Sequence, residues 1–111
     1  MTSELQQFIK KIKKSADLVY QSKDYTSATI LYFKTFFVIL DLIIFSKNKT
    51  TPKDHTERFR ILEKDFPEYY TILDKYFSIY RDTYSLTIEK EKCDIIKYHV
   101  EQLITKQKLS E

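Results

Sequence analysis

The sequence predicts an all-α protein, an up-and-down antiparallel bundle of four long helices with five helices in total. Three observations lead there. Glycine is absent and there are two prolines among 111 residues. Sandwiches, barrels and phosphate-cradling loops need glycine where φ turns positive or where backbone approaches a ligand. Apolar residues recur every three or four positions along most of the chain, the period of a helix face. The stretches between are short and polar, and short links make neighbouring helices antiparallel. At 42% hydrophobic and 32% charged residues, residues 1–111 read as a single globular domain.

Ser3, followed three residues later by Gln6, has the spacing of a capping box and opens the first helix. Leu5, Phe8, Ile9, Ile12, Ala16, Val19 and Tyr20 form its apolar face. Lys10, Lys11, Lys13 and Lys14 fall mainly on the opposite, solvated side. Asp24 caps a second helix from Tyr25 to Phe45 or Ser46. Its apolar residues wrap most of the circumference, so it is either the central helix of the bundle or also faces another subunit. Thr51-Pro52-Lys53-Asp54 then reads as an N-cap, a proline at the first helical position and an acid in the first turn. Phe59, Leu62 and Phe66 give this third helix a short apolar face. Pro67 ends it and opens a fourth, tyrosine-rich helix with Glu68 in its first turn. Tyr84, Leu86 and Ile88 alternate like an extended segment. Thr87 caps a fifth helix from Ile88 to Lys106, which buries Ile96, Val100, Leu103 and Ile104, and Gln107 to Glu111 are expected to fray.

Composition argues against several classes of function. Cys93 is the one cysteine, which excludes an internal disulfide and a cysteine-based zinc site. His55 and His99 have no companion four residues away, so no metal pair is suggested, and no cofactor is expected. No basic segment followed by an apolar run opens the chain. The longest apolar stretch, Phe36 to Phe45, is about half of the ~20 residues a membrane span requires. A cytoplasmic protein without membrane contact is expected. The net charge of +3 permits an acidic partner without demanding one.

One family shares this organisation. A lysine-bearing first helix precedes a long apolar helix containing Leu40-Asp41-Leu42-Ile43. A loop leads to Pro52-Lys53-Asp54-His55, and a tyrosine-rich helix carries Tyr80-Arg81-Asp82-Thr83-Tyr84-Ser85. Over nearly its whole length the chain resembles the HEPN domain family of prokaryotic helical bundles. The resemblance implies a homodimer whose subunits share a cleft, and a nucleotidyltransferase as partner in a toxin–antitoxin-like system. Some members are ribonuclease toxins whose signature is an arginine followed four to six residues later by histidine. Here Arg81 and Tyr84 are present, but the next histidine is His99, on the fifth helix. A ribonuclease needs a base for the 2′-hydroxyl, an acid for the leaving oxygen and a cation for the phosphate. A tyrosine with a pKa near 10 is a poor base at neutral pH. The expectation is therefore a non-catalytic interaction module. The alternatives are a metal-independent ribonuclease with an altered signature, or a protein that binds RNA or a nucleotide in the same cleft.

Arg81, Tyr84, His55 and Asp41 are the candidate residues for a phosphate or RNA cleft. Asp41 interrupts an apolar helix, and an unpaired buried carboxylate is costly, so it needs solvent or a donor from another helix. Phe33, Phe37, Leu42 and Phe45, with Tyr70 and Ile79 on the fourth helix, exceed what one stripe per helix can hold. They are the candidate dimer interface, burying about 800 Å² or more per subunit.

Overall fold

The computed structural model of the protein describes residues 2–109, which form five helices with no strand among them. These are α1 Thr2–Gln21, α2 Tyr25–Asn48, α3 His55–Asp65, α4 Pro67–Asp82 and α5 Lys90–Lys106. Asp24 caps α2, its carboxylate accepting from the Ser27 N–H at 3.1 Å. In place of glycine, lysines take the left-handed conformation at helix ends: Lys23 at φ 69°, Lys49 at φ 64° and Lys108 at φ 56°. The Lys49 N–H donates to the Phe45 carbonyl at 2.8 Å and so closes α2.

Four boundaries differ from expectation. Ser3 lies inside the first turn of α1 rather than ahead of it. α3 is capped by Asp54, not Thr51. The Glu57 N–H donates to Asp54 at 2.8 Å while the Lys53 N–H donates to the Glu57 carboxylate at 3.2 Å. This reciprocal pair starts the helix after Pro52, which is buried ahead of it. α5 begins at Lys90 rather than Ile88, because the Ile88 N–H donates to the Thr26 hydroxyl at 2.8 Å and its side chain is buried. Gln107 to Leu109, expected to fray, fold back instead. The Leu109 N–H reaches the Ile104 carbonyl at 2.9 Å, and the Leu109 side chain packs on the core. Ser110 and Glu111 lie outside the described residues.

α2 is the centre of the fold. It runs back along α1, with the Tyr32 hydroxyl donating to Asp17 at 2.6 Å and Lys34 over the Phe8 ring. It runs beside α5 in the same direction, Thr26 meeting Ile88, Thr29 meeting Cys93 and Phe36 lying near Leu103. α3 and α4 cover the remaining side, with Phe59 against Phe77 at 4.9 Å and Phe37 against Tyr80 at 5.1 Å.

This enclosure bears on the residues expected at a dimer interface. Phe33, Phe37, Leu42 and Ile79 are buried within the single chain, and Phe45 and Tyr70 are half-buried. Phe33 and Phe37 pack against Tyr80 of α4, and the four buried residues present little surface to a second copy. The lysine face also changes. Lys13 is buried and pairs with Asp17 at 2.8 Å and with Glu101 of α5 at 3.4 Å, so it ties helices together. As a folded helix, α2 exceeds its longest apolar run. Its 24 residues are long and apolar enough to cross a membrane, though most of them are buried against the other helices, as in a core helix.

Candidate functional site

The site is built around Asp41. It occupies the stretch of α2 that faces α3, and its carboxylate is met there by Arg58. Arg58 Nε donates to one carboxylate oxygen at 2.8 Å and Nη2 to the other at 3.0 Å, a two-pronged pair. The two side chains are 10% and 16% exposed, so little water screens them. Asp54 caps α3 and thereby places His55 and Arg58, three residues apart, on one face of the helix. The third guanidinium nitrogen, Nη1, lies 2.6 Å from His55 Nδ1.

That last contact fixes the state of the histidine. A guanidinium can only donate, so His55 Nδ1 is the acceptor and the neutral ring carries its proton on Nε2. Burial, with the Arg58 charge adding to it, lowers the His55 pKa from 6.5. The ring is packed among aromatics, with Phe37 at 4.6 Å, Phe77 at 5.5 Å and Tyr80 at 5.6 Å. The Tyr80 hydroxyl is 3.0 Å from that of Tyr84, and this bond together with burial pushes its pKa up to about 12.

These groups line a cleft of about 350 Å³. Asp41, Arg58, His55 and Tyr80 supply its polar side, and Phe8, Ile30, Phe37 and Val38 its apolar side. Lys34 lies at the edge. Among the described residues Lys34 makes no ion pair; its ammonium sits 5.8 Å from the Phe8 ring centre.

Of the residues picked out in the sequence, Asp41 and His55 meet here, and Tyr84 joins them through Tyr80. Arg81 does not line the cleft. It follows Tyr80 by one position, about 100° round the helix, and is exposed over the Phe77 ring at 5.9 Å. Arg58 provides the guanidinium instead. Arg58, Lys34, Phe37 and Tyr80 escaped sequence reading as cleft residues. The available signal was the spacing from the Asp54 cap, which sets Arg58 one turn on, beside His55. His99 is half-buried elsewhere, with its ring 5.3 Å from Tyr76.

Chemically the cleft is poor in reactive groups. Its guanidinium is neutralised by Asp41, its imidazole has Nδ1 occupied, and Tyr80 keeps its proton at neutral pH. A second ionic cluster, Lys13, Asp17, Tyr32 and Glu101, is a tie between α1, α2 and α5. Comparisons of the chain with protein-family models, with curated proteins and with solved structures return no match.

Proposed function

We propose that the protein is a non-catalytic interaction module, a cytoplasmic HEPN-like up-and-down bundle that works by binding. The observation that supports this reading is the closed ionic set in the cleft. Asp41 and Arg58 neutralise one another and Arg58 occupies Nδ1 of His55, so the cleft holds no paired acid and base for RNA cleavage. By the family resemblance, its partners are a second copy and a nucleotidyltransferase in a toxin–antitoxin-like arrangement. The surface offered to a second copy is not the buried aromatic set. It is the exposed apolar pair Tyr84 (77%) and Leu86 (57%), on the link that follows α4.

Two measurements test the reading. Incubation with a mixed RNA pool should give no cleavage; cleavage that disappears in Arg81→Ala would establish the ribonuclease alternative instead. Sedimentation equilibrium at micromolar concentration should show a dimer that Leu86→Asp converts to monomer. A wild-type species of 13.4 kDa would refute self-association.

A further inference from the structure

We infer that the cleft between α1, α2, α3 and α4 binds a small organic monocarboxylate, with its headgroup on Lys34 and His55 and its apolar body between Phe8, Ile30 and Val38. This goes beyond the interaction-module reading and needs the cleft of one chain only.

Charge sets the class of ligand. Lys34 and Arg58 stand against Asp41, so the lining carries one net positive charge with His55 neutral. Three of the five guanidinium N–H groups of Arg58 are already used, on Asp41 and His55. The charge of Arg58 is thus already matched, and the Asp41 carboxylate beside it opposes a dianion such as phosphate. A single carboxylate matches the one uncompensated cation.

Hydrogen bonding agrees. Arg58 occupies the acceptor nitrogen of His55, so the remaining ring nitrogen, Nε2, offers a donor. Lys34 offers three more, and its ammonium has no acid partner among the described residues. Acceptor atoms on the ligand are what this edge of the cleft lacks.

The walls call for an apolar body. Phe8 and Ile30 are 43% and 40% exposed, and beside them Phe37 and Val38 form the buried surface of α2. A volume of about 350 Å³ is at the small end of the range for ligand pockets, roughly 300–1,000 Å³. That suits one ring or a short branched chain rather than a nucleotide.

The test uses benzoate as probe, titrated into the full-length ¹⁵N-labelled protein and followed by amide and imidazole chemical shifts. Saturable shifts are expected at Ile30, Lys34 and His55. Lys34→Met should weaken binding by about tenfold or more, the usual weight of a hydrogen bond to a charged group, while Lys34→Arg retains most of it. Ile30→Glu places a carboxylate in the apolar wall and should abolish binding with the circular dichroism spectrum unchanged. Benzyl alcohol and inorganic phosphate should each bind more weakly than benzoate. The proposal is overturned if benzoate causes no saturable shift at millimolar concentration, if Lys34→Met binds it as the wild type does, or if phosphate binds equally well.

Discussion

Arg58 and Asp41, seventeen positions apart, form a two-pronged ion pair between α3 and α2, with Nε and Nη2 at 2.8 and 3.0 Å from the two carboxylate oxygens. With the ion pair of Lys47 and Asp65 at 3.9 Å, it fastens the short α3 to the central helix. Both members are largely withdrawn from water, so the loss of either leaves the other stranded.

Arg58→Met or Asp41→Leu alone should therefore destabilise the protein by about 3–5 kcal/mol. The double substitution Asp41→Leu with Arg58→Met should cost less than the sum of the single changes, because no uncompensated charge remains. Urea unfolding of the wild type and the three variants closes the cycle. Additive effects would show that the pair is not coupled.

Stability should fall in mild acid. Burial lowers the pKa of both His55 and His99 from 6.5. The unfolded chain thus takes up protons first as the pH drops. The stability in question is fully present above about 6.5 and is lost as the pH falls through the two folded values. Asp24 and Asp94, lowered from 3.8, act in a separate and more acid window. Melting temperatures between about pH 7.5 and about pH 5 should show this decline, and His55→Phe should make it shallower. A flat profile in the wild type would contradict it.

Tyr32 is fully buried and donates to Asp17 at 2.6 Å. Tyr32→Phe removes the hydroxyl with little change of shape and should cost about 1.5–3 kcal/mol, the range for hydrogen bonds to charged groups. Tyr32→Ala adds a cavity and should cost about 3–5 kcal/mol. Equal losses for the two variants in denaturant unfolding would assign the whole effect to the hydroxyl.

Lys49 closes α2 in the left-handed region, at φ 64°. Glycine adopts that conformation without the steric cost of a Cβ, although it adds freedom to the unfolded chain. Lys49→Gly should be a net gain of about 0.5 kcal/mol, visible as a higher urea midpoint. A lower midpoint would mean that the lysine side chain, whose ammonium reaches the Ser46 carbonyl at 3.2 Å, matters more than the backbone.

Cys93 has no exposed surface, and burial pushes its thiol pKa up. Ellman's reagent should leave the native protein unmodified at mildly alkaline pH and react fully in denaturant. Rapid native reaction would place α5 away from α2.

Helix type and order were legible because they depend on local spacing. α2 could be read as enclosed on nearly all sides, but the identity of its neighbours could not, since a second copy and α3 with α4 cover the same stripe equally well. Phe37 shows this: periodicity marks it as surplus, and only packing reveals His55, Phe77 and Tyr80 around it. The need of Asp41 for a donor followed from the cost of burying charge. Arg58 as that donor did not, because the pair joins different helices. Arg81 drew attention through its neighbours in sequence, yet orientation on α4 carries it away from the cleft. The start of α5 was misplaced for a similar reason. A hydroxyl on distant Thr26 captures the Ile88 N–H.

The central place of α2 has a consequence for biosynthesis. α2 leaves the ribosome before α3, α4 and α5, which in the finished protein cover much of its apolar circumference. α1 can shield one side at once, through Tyr32 and Asp17. The stripe that receives Cys93, Ile96 and Val100 stays bare until α5 emerges, a few seconds later at ordinary rates of translation. For that interval the nascent chain displays a helix with the length and hydropathy of a membrane span, so the yield of folded protein depends on α5 arriving before a chaperone, a bilayer or another nascent chain claims that surface.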